Sequence, residues 1–592
     1  MFTAGTVLLH DNLDPAGENL LFTQPRDILV AHSAAEAVAA LARLEAARAE
    51  GLWAAGYLAY ELGFVFEERL TPLLPDPSAT PLLWLGLYDA PQRLSAAEVD
   101  QQLAASAGTA GQAVAITPSV DLPAYTAAFD AVKDLIAAGD TYQVNLTFKA
   151  GFRLEGDPLA LYRDLVARQP VAYGAYLDTG THVVLSRSPE LFVRNRGGEL
   201  AARPMKGTLK RGRSIAEDAA GRAALAGDEK NRAENLMIVD LLRNDLGRIA
   251  EIGSVKVTDL FTVETYRTLH TMTSGITARL RAGVSTTAIL ENLFPCGSIT
   301  GAPKLRAMEI IEAVEAGPRG LYTGSIGWFA PNGDLTLNVA IRTAFINRAG
   351  HGEIGIGGGI VADSVAEDEY REALLKMAFF TDKAQPVTLI ETLLWDPDSG
   401  YALLDRHLQR LEASARYFQL TSETSKLTSM LAAEAAKFAD EPMRVRLTLD
   451  AHGPHITATQ LPPNPELFRF IIAPERLDSQ SLWLAHKTTN RAFYDEPRQR
   501  AAAAHGVDEV LFLNENNELT EGSITSLFVE RHGQLLTPPL SAGLLPGTLR
   551  AELLATGKAE EQSLTLADLA AADAIWLGNS VRGLLRAEWV KP

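Results

Sequence analysis

Two stretches of the chain carry hydrophobic patterns that predict regular structure around charged side chains. In DLTLNVAIRTAFI, at residues 334–346, apolar and polar positions alternate, so that four apolar side chains share one face and Arg342 lies on the other. This period of two predicts a half-buried strand with Arg342 on its polar face. The stretch NRAENLMIVDLLRNDLGRI, at residues 231–249, has apolar positions at helical spacing and predicts a helix with Glu234 near its start.

A glycine-rich segment, GEIGIGGGIVADSVAEDEYREALLKM at residues 352–377, predicts a strand, a glycine turn and a helix in that order. Ser364 and Glu367 have the spacing of a capping box at the start of this helix. Positions i, i+3 and i+7 lie on one side of a helix. One face therefore carries three charged side chains, those of Glu369, Glu372 and Lys376.

Shifts in composition divide the chain into domains. Residues 95–120 are rich in Ala, Gly, Ser and Gln, which predicts a surface loop or linker. The pattern breaks again at Pro386, after which a strand-like start and a helical stretch begin anew. The expected organisation is a first domain at 1–385, made of a subregion at 1–95, the linker at 95–120 and a core at 121–380, followed by a second domain at 386–592.

Charge and cysteine content narrow the classes of function. The 592 residues include 54 Lys plus Arg and 73 Asp plus Glu, so the formal net charge is −19, which argues against general nucleic-acid binding. Cys296 is the single cysteine, which fits a reducing cytoplasm and excludes an intrachain disulfide and a cysteine-based zinc site. We expect a cytoplasmic chain without a secretory signal or a membrane span, since no apolar run approaches the ~20 residues of a membrane helix.

The charged residues by themselves leave the chemistry open. Carboxylates on two helices could hold Mg²⁺, which prefers a few carboxylates together with water and substrate oxygens. Glutamates at this spacing are more often a solvated helix face, and Arg342 alone is more often a surface charge. The run from Gly357 to Gly359 is more often a plain turn than an anion site.

Seven motifs in order carry a resemblance to a known family. They are SRSPELF (186–192), RPMKGTLKRG (203–212), AENLMIVDLLRNDLGRI (233–249), GSITGAPKLRAMEII (297–311), YTGSIGWF (322–329), NVAIRTAF (338–345) and GGGIVADS (357–364). Together they resemble the chorismate-utilising enzymes, which include the anthranilate, aminodeoxychorismate, isochorismate and salicylate synthases. The resemblance is dense over about 120–380 and implies an α/β fold in which two antiparallel sheets face each other with helices outside.

The resemblance also implies that chorismate and Mg²⁺ lie in the cleft of this fold. Glu234 and Glu372 match direct Mg²⁺ ligands, and Glu369 matches a ligand that acts through water. The matching substrate donors are Arg342, Tyr322, Lys376, Thr300 and the amides of Gly358 and Gly359. Asn231 departs from the family, whose members carry an acid one turn before Glu234.

Lys206, in PMKGT, separates the members of the family. Anthranilate synthases carry Ala there, whereas a lysine resembles the aminodeoxychorismate synthases. In these the lysine amine attacks C2 as the C4 hydroxyl leaves, and ammonia then attacks C4 and expels the lysine. Glu190 matches the proton donor to the departing hydroxyl. The amine must be neutral, so the pKa of Lys206 must lie below the ~10.4 of a free lysine. A carboxylate contact without covalent chemistry is the alternative role for Lys206.

The source of ammonia is expected to be a separate protein. A glutamine amidotransferase needs a cysteine nucleophile, and Cys296 lies inside the chorismate motif FPCGSITG. A separate glutaminase subunit or free ammonium is therefore implied. Thr271 stands where anthranilate synthases carry a histidine, and we expect its neighbour His270 to be structural.

The last 205 or so residues carry a second series of motifs. LIETLLW, YALLDRHLQRLEASARYFQL, SLWLAHKTTNRAFYD, DEVLFLNENNELTEGSITSLFVE, LLTPPLSAGLLPGTLR and WLGNSVRGL follow one another. They predict an amphipathic helix at 401–420, a strand-like run before Lys487 and a hairpin with its polar turn at NENN. The series resembles the class IV pyridoxal-phosphate enzymes of fold-type IV, which include branched-chain and D-amino-acid aminotransferases and aminodeoxychorismate lyase.

This second resemblance assigns roles to particular residues. Lys487 matches the Schiff-base lysine and catalytic base, and Glu521 matches the partner of the protonated pyridine nitrogen. The phosphate donors are Arg410, Ser580 and the amides of Thr548 and Leu549, which open a helix after Pro546 and Gly547.

The two resemblances together favour a bifunctional enzyme that makes 4-aminobenzoate, the folate precursor, from chorismate and ammonia. The product of the first implied reaction, aminodeoxychorismate, is the substrate of the lyase, which favours this pairing. One alternative is an anthranilate-type synthase fused to an aminotransferase. Another is a second domain that only stabilises the chain. Any homodimer is expected to form through the second domain.

Overall fold

The structure, a computed structural model, describes residues 2–14, 16–75, 77–267, 269–381 and 387–591. The chain divides into two units, one made of Met1–Lys210 with Arg222–Ala384 and the other of Arg211–Gly221 with Gln385–Pro592. The boundary predicted at Pro386 lies outside the described residues. Across the described ranges, no helix is both long enough and apolar enough to cross a membrane.

The strands of the first unit make two antiparallel sheets. In chain order they are β1 (Thr6–His10), β2 (Asn19–Phe22), β3 (Asp27–Ala31), β4 (Trp53–Leu58), β5 (Leu83–Tyr88), β6 (Gln92–Leu94), β7 (Gly111–Pro118), β8 (Gln143–Gly156), β9 (Tyr173–Asp178), β10 (His182–Ser188), β11 (Leu191–Arg196), β12 (Glu199–Arg203), β13 (Met205–Lys210), β14 (Lys256–Thr265), β15 (Leu269–Arg279), β16 (Gly301–Ala302), β17 (Ser325–Phe329), β18 (Leu335–Asn338), β19 (Thr343–Asn347) and β20 (His351–Ile360). The first sheet runs β16-β8-β20-β19-β10-β9-β1-β2-β6, with β7 on β8, and the second runs β13-β15-β12-β11-β18-β17-β4-β5-β3, with β14 on β15.

Helices cover the outer faces of these sheets. They are α1 (Ala34–Ala49), α2 (Leu62–Val65), α3 (Ala96–Ser106), α4 (Leu122–Ala137), α5 (Pro158–Arg168), α7 (Glu229–Ile249), α8 (Thr286–Leu293), α9 (Lys304–Val314), α10 (Ala366–Leu375) and α11 (Ala378–Thr381), with 3₁₀ turns at Thr71–Leu73 and Gly297–Ile299. The remaining helix, α6 (Ile215–Gly227), has residues in both units, since Arg211–Gly221 belong to the second. The predicted helix at 231–249 is confirmed as α7.

Side chains between the sheets hold the first unit together. The ring of Phe22 on β2 lies 5.2 Å from that of Tyr88 on β5, and Tyr57 on β4 lies 6.1 Å from Phe345 on β19. Alternate β4 residues such as Leu58 instead join the core under the helices. Central strands such as β4 and β5 are thus buried on both faces, because period-two alternation sends one side chain to the other sheet and the next to a helix. The expected fold of two facing antiparallel sheets with outer helices is confirmed.

The linker predicted at 95–120 is wrong. Residues Ala96–Ser106 form α3, whose N-terminus is closed by a capping box between Ser95 and Glu98. Val99 and Leu103 of this helix are buried, and residues Gly111–Pro118 form β7. Most residues of this stretch are small or polar, so its composition does not reveal the two apolar side chains, Val99 and Leu103, that pack the helix onto the domain.

The single strand predicted at 334–346 is also wrong. β18 and β19 belong to different sheets, so the chain crosses from one sheet to the other between them. Val339 and Ala340 are both fully buried in this crossing, and Arg342 adopts a left-handed φ of +51°. The alternation of apolar and polar residues does not stop at the crossing, because Val339 and Ala340 are buried in apolar surroundings there just as strand residues are.

Two details of the segment 352–377 differ from expectation. Gly357, Gly358 and Gly359 lie inside β20, paired with β8, and do not form a turn. The predicted capping box is absent, because α10 begins after Val365 without a side-chain cap. Ser364 Oγ instead donates to Glu369 Oε1 at 2.7 Å and accepts from the amide of Val361.

The second unit contains two further sheets. Its strands are β21 (Leu389–Asp396), β22 (Gly400–Tyr401), β23 (Met443–Asp450), β24 (Gly453–Gln460), β25 (Phe468–Leu477), β26 (Glu509–Asn514), β27 (Leu519–Gly522), β28 (Ser526–Arg531), β29 (Gln534–Thr537), β30 (Ala559–Glu561), β31 (Ala574–Asn579) and β32 (Gly583–Trp589). Four strands run β22-β21-β23-β24, and eight run β27-β26-β25-β32-β31-β28-β29-β30.

The helices of the second unit pack on these sheets. They are α12 (Leu404–Phe418), α13 (Thr424–Ala435), α14 (Leu482–Ala485), α15 (Ala492–His505), α16 (Thr548–Ala555) and α17 (Leu566–Ala570), with a 3₁₀ turn at Leu540–Ala542. The predicted amphipathic helix is confirmed as α12, and the hairpin with its turn at NENN as β26 and β27. The strand-like run predicted before Lys487 is wrong, because this stretch forms the short helix α14.

Candidate active sites

A cavity of about 350 Å³ in the first unit collects most of the residues that the sequence singles out. β13, β20, α7 and α10 contribute to its walls. Ten of the eleven residues predicted for the first domain line it, namely Glu190, Lys206, Glu234, Tyr322, Arg342, Gly358, Gly359, Glu369, Glu372 and Lys376. A cavity of this size is sufficient for a small dicarboxylate.

Thr300 does not line this cavity. Its hydroxyl donates to the carbonyl of Cys296 at 2.8 Å, and its own carbonyl accepts from the amide of Asn145. The residues of the same motif that do line the cavity are Ser298 and Ile299. The 3₁₀ turn at Gly297–Ile299 turns Thr300 inward, so its part is to hold the loop rather than to face a ligand.

A bulge aims Lys206 into the cavity. The pairing of β13 with β15 shifts register between Lys206 and Thr208, and Gly207 between them has a φ of +81°. A bulge of this kind re-aims the neighbouring side chain. A β-carbon at Gly359 would stand 2.7 Å from Lys206 Nζ, so the amine lies directly over the glycine strand.

The electrostatic surroundings of Lys206 favour a neutral amine. Burial lowers its pKa most, and Lys376 lowers it further, although Glu234, Glu190 and Glu372 oppose the shift. The net direction is downward, as nucleophilic attack by an amine requires.

Glu190 is a buried carboxyl with a hydroxyl partner. Ser298 Oγ donates to Glu190 Oε1 at 2.6 Å, and Cys296 Sγ lies 3.1 Å from the same hydroxyl. Burial raises the pKa of Glu190 to about 7, against the opposing effects of Ser298 and Lys206. Near neutral pH this group can therefore hold a proton and give it up.

Arg342 and Tyr322 present donors to the cavity. Arg342 Nη1 is buried and has no hydrogen-bond partner within the described part of the protein. Such an orphaned donor is costly unless a ligand satisfies it, and a guanidinium suits a carboxylate. The ring of Tyr322 lies flat against Gly355 of β20, where a β-carbon would overlap it.

Glu234, Glu369 and Glu372 stand together at the acidic end of the cavity. Burial raises the pKa of Glu234 and of Glu369, and the neighbouring carboxylates add to both shifts. Lys376 forms a 2.8 Å ion pair with Glu372 and holds the pKa of that carboxyl below its usual range despite burial.

These carboxylates fit a divalent cation that keeps part of its water. No preformed cluster of three acidic, histidine or cysteine ligands occurs in the described ranges of the chain. Mg²⁺ does not need one, since it binds through one or two carboxylates plus water and substrate oxygens. A cation would relieve the mutual repulsion that raises the pKa values of Glu234 and Glu369.

The cavity is also lined by residues to which sequence reasoning gave no role, among them Ser298, Asn145 and Lys230. Ser298 and Asn145 do so from the Gly297 turn and from β8, and Lys230 does so from α7, where it pairs with Asp363 at 2.9 Å. The motif GSITG could have indicated Ser298, and the position of Lys230 one turn before Glu234 could have indicated that lysine, whereas nothing local marks Asn145. His270 is buried, and its Nδ1 lies 2.9 Å from Thr265 Oγ1, outside this cavity.

Another cavity, of about 390 Å³, lies elsewhere in the first unit. Its walls include His10, Tyr173, Arg196 and Trp328, and none of the predicted site residues. Volume alone therefore does not identify the site; the side chains do.

The second unit brings Lys487 together with the other residues predicted there. Burial lowers the pKa of Lys487 to about 8, the guanidinium groups of Arg410 and Arg491 lower it further, and Glu391 and Glu521 oppose the shift. A lysine that is readily neutral suits covalent attachment of an aldehyde.

Glu521 occupies an enclosed position at the end of β27. Its Oε1 accepts from the amide of Leu545 at 2.7 Å and from the hydroxyl of Tyr494. Burial raises its pKa to about 7 against these hydrogen bonds and Lys487. A carboxyl held in this way can pair with a pyridine nitrogen.

The predicted phosphate donors meet around a buried histidine. His407 Nε2 lies 2.9 Å from Ser580 Oγ and 3.3 Å from Thr548 Oγ1. Arg410, one turn further along α12, donates to Glu391 at 2.8 Å and 2.6 Å. Thr548 and Leu549 open α16, which has no side-chain cap, so their amides suit an anion. The residues present therefore fit pyridoxal phosphate.

Comparison with known proteins identifies both units. Residues 13–382 match the family described as chorismate binding enzyme. The chain belongs to the chorismate-binding enzyme family. Residues 388–588 match the family described as amino-transferase class IV, so the chain carries a class IV aminotransferase domain as well. Chorismate-utilising enzymes use Mg²⁺ and class IV aminotransferases use pyridoxal phosphate, as the two sites would require.

Individual relatives of the first unit include proteins named aminodeoxychorismate synthase. The chain is 47% identical over 259 residues to an aminodeoxychorismate synthase of Streptomyces griseus, covering 44% of this chain and 36% of the relative. It is 42% identical over 268 residues to aminodeoxychorismate synthase component 1 of Bacillus subtilis (strain 168), covering 45% of this chain and 57% of the relative. The chain thus spans about a third to somewhat over half the length of these relatives.

A solved structure agrees with the fold of the first unit. The crystal structure of anthranilate synthase component I from Streptococcus pneumoniae TIGR4 is similar with a TM-score of 0.51 and 26% identity. The match covers 64% of this chain and 90% of that protein.

Replacing Gly355 by Ala should weaken chorismate binding by about tenfold or more. The new β-carbon would overlap the Tyr322 ring and displace it from the cavity wall. Gly151→Ala is the matched control, since that glycine lies on the neighbouring strand β8 with open space around its β-carbon position. Titration calorimetry with chorismate measures the difference, and equal affinities for the two variants would show that Tyr322 does not contact the ligand.

Proposed function

We propose that the chain makes 4-aminobenzoate in two steps. The first unit replaces the C4 hydroxyl of chorismate by an amine from ammonia, with release of water. The second unit eliminates pyruvate from the resulting aminodeoxychorismate. The observation that carries the proposal is the Lys206 amine, which lies over Gly359 in the cavity with a lowered pKa. The names of the relatives support the same chemistry.

Binding and orientation are the task of the cavity walls. Arg342, with its unpartnered Nη1, receives one substrate carboxylate, and Tyr322 adds a hydroxyl. Glu234 and Glu372 would hold Mg²⁺, with Glu369 contacting it through water. When bound, Mg²⁺ supplies positive charge that neutralises the other carboxylate.

Two residues carry the first reaction. The neutral amine of Lys206 forms a bond to C2 while the bond from C4 to its hydroxyl breaks, and the proton that the amine then loses replaces the one that Glu190 donates. Glu190 protonates that hydroxyl, so it leaves as water. Ammonia then bonds to C4 as the bond between C2 and Lys206 breaks, and the proton that the incoming nitrogen loses goes to the departing lysine nitrogen, which restores the free lysine. Ammonia from a separate glutaminase subunit is part of the proposal, because Cys296 is buried behind Ser298 and cannot serve as a glutaminase nucleophile.

The second unit completes the sequence. Pyridoxal phosphate, when bound, supplies an electron sink for the electrons released at C4. Lys487 takes the C4 proton, and Glu521 would hold the pyridine nitrogen of the cofactor in its protonated form. The bond between C3 of the substrate and its side-chain oxygen breaks, pyruvate leaves, and the six-carbon ring of the substrate becomes aromatic. An aminotransferase role for this unit uses the same residues and remains the alternative. We also propose the chorismate domain for residues 1–385 and the pyridoxal-phosphate domain for 386–592.

Replacing Lys206 by Ala should abolish C4 amination while leaving chorismate binding nearly intact. Wild-type protein with chorismate, ammonium, Mg²⁺ and pyridoxal phosphate should give 4-aminobenzoate and pyruvate by mass spectrometry. With ammonium omitted, the intact wild-type protein should gain the mass of chorismate less water at Lys206. Lys210→Ala, an exposed lysine on the same strand, is the control and should behave as wild type. Anthranilate among the products, or normal amination by Lys206→Ala, would contradict the covalent route.

The amination rate should depend on the protonation of Glu190. Burial raises the pKa of this carboxyl to about 7, so its protonated form predominates below pH 7 and is lost as pH rises above it. We expect kcat for amination to fall above pH 7 on this account. Glu190→Gln should reduce kcat by about 10²-fold or more and remove that limb of the profile. An unchanged limb in Glu190→Gln would assign the titration to another group.

Lys487→Ala should block the second step alone. The variant should lose the visible absorbance of covalently held pyridoxal phosphate, and aminodeoxychorismate should accumulate in place of 4-aminobenzoate. Lys558→Ala, an exposed lysine after α16, is the matched control. If wild-type protein saturated with pyridoxal phosphate shows no such absorbance, the second unit is a structural module instead.

A further inference from the structure

We propose that His407 is a positioning residue for the phosphate of bound pyridoxal phosphate. When the phosphate binds, the hydroxyl protons of Ser580 and Thr548 turn from His407 to the phosphate, and His407 binds a proton. The proposal deepens the proposed function of the second unit and rests on its use of that cofactor. It is carried by a buried network of hydrogen bonds that joins the histidine to every predicted side-chain donor.

One nitrogen of His407 is fixed by a carboxylate. Nδ1 lies 2.6 Å from Glu391 Oε2, and both side chains are about 1% exposed. Arg410 donates to both oxygens of Glu391 and holds the pKa of that carboxyl at about 2, against the effect of burial. An ionised carboxylate only accepts hydrogen bonds, so Nδ1 must carry a proton.

The other nitrogen then decides where the two hydroxyls point. In neutral imidazole with a proton on Nδ1, Nε2 is an acceptor. Ser580 Oγ at 2.9 Å and Thr548 Oγ1 at 3.3 Å must therefore donate to it. In this state their protons point to the histidine and not to a phosphate.

A bound phosphate reverses this arrangement. A phosphate dianion only accepts, so each hydroxyl contributes to binding only if its proton turns toward the phosphate. Nε2 would then face two hydroxyl oxygens without a hydrogen between them. A proton taken from solvent onto Nε2 restores the bond, with the histidine now donating to a hydroxyl oxygen and Glu391 balancing its charge. One proton is bound and no covalent bond is made or broken.

The neighbouring charges permit this proton uptake. Glu391 comes from β21 and Arg410 from the same helix as His407, and the two form an ion pair. The Lys487 amine is close enough to Arg410 and Glu391 to interact with both electrostatically. On α16, Glu552 pairs with Arg406 of α12 at 2.8 Å. The carboxylate in direct contact with the imidazole would balance the charge of the added proton.

Calorimetry with pyridoxine 5′-phosphate tests the proposal, because this probe carries the phosphate but lacks the aldehyde that reacts with Lys487. Apoprotein is titrated at pH 8 in buffers of different ionisation enthalpy, which reports the protons bound per ligand. The wild type should take up close to one proton more than His407→Gln, whose affinity should fall by about tenfold or more. His455→Gln, an exposed histidine on β24, should match the wild type.

Further comparisons keep the outcomes distinct. If His407→Gln fails to fold, the wild type alone suffices, since pyridoxine without its phosphate should bind without that extra proton. Equal proton uptake with and without the phosphate group, or with and without His407, would overturn the proposal. If neither pyridoxine 5′-phosphate nor pyridoxal phosphate binds the wild type, the proposed function of the second unit fails instead.

Discussion

Removal of a lysine amine from water is the constraint on which both candidate sites depend. An ammonium group cannot attack carbon, and in water a lysine is almost wholly protonated at neutral pH. Burial lowers the pKa of Lys206 and of Lys487, and each has a neighbouring cation that adds to the shift. Carboxylates oppose the shift at both sites, so its size depends on how far the fold keeps the amine from them and from solvent.

The two facing sheets supply what that constraint needs in the first unit. Central strands buried on both faces leave little room for water, and a glycine in such a strand leaves space that a side chain would otherwise fill. Gly355 and Gly359 on β20 provide that room, the first for the Tyr322 ring and the second for the Lys206 amine. Arg342 reaches the same space because the chain crosses between the sheets beside it, in a left-handed conformation that a non-glycine residue adopts only when its surroundings enforce it.

Much of the site could be predicted from the sequence, whereas its local geometry could not. Seven of the ten predicted cavity residues lie in the ordered motifs, and the other three, Glu369, Glu372 and Lys376, share one face of the predicted helix that follows the last motif. The crossing at Arg342 escaped prediction because alternation persists between two apolar layers, and α3 did because its docking side chains, Val99 and Leu103, are outnumbered by alanine and glutamine. Asn145 is distant in sequence from every motif, so only the fold places it at the site, whereas Lys230 lies one turn before Glu234 on the same helix.

Three buried glutamates have different pKa values because their hydrogen-bond partners differ, and each therefore suits a different role. Burial alone raises the pKa of a carboxyl, and Glu190 and Glu521, which are bonded to hydroxyls and an amide, both rise to about 7. Glu391 is as deeply buried, yet the two-point contact with Arg410 holds its pKa at about 2. The first two can exchange protons near neutrality, whereas the third is a fixed negative charge. A fixed charge is what a histidine requires from its partner if the histidine, and not the carboxylate, is to bind the incoming proton.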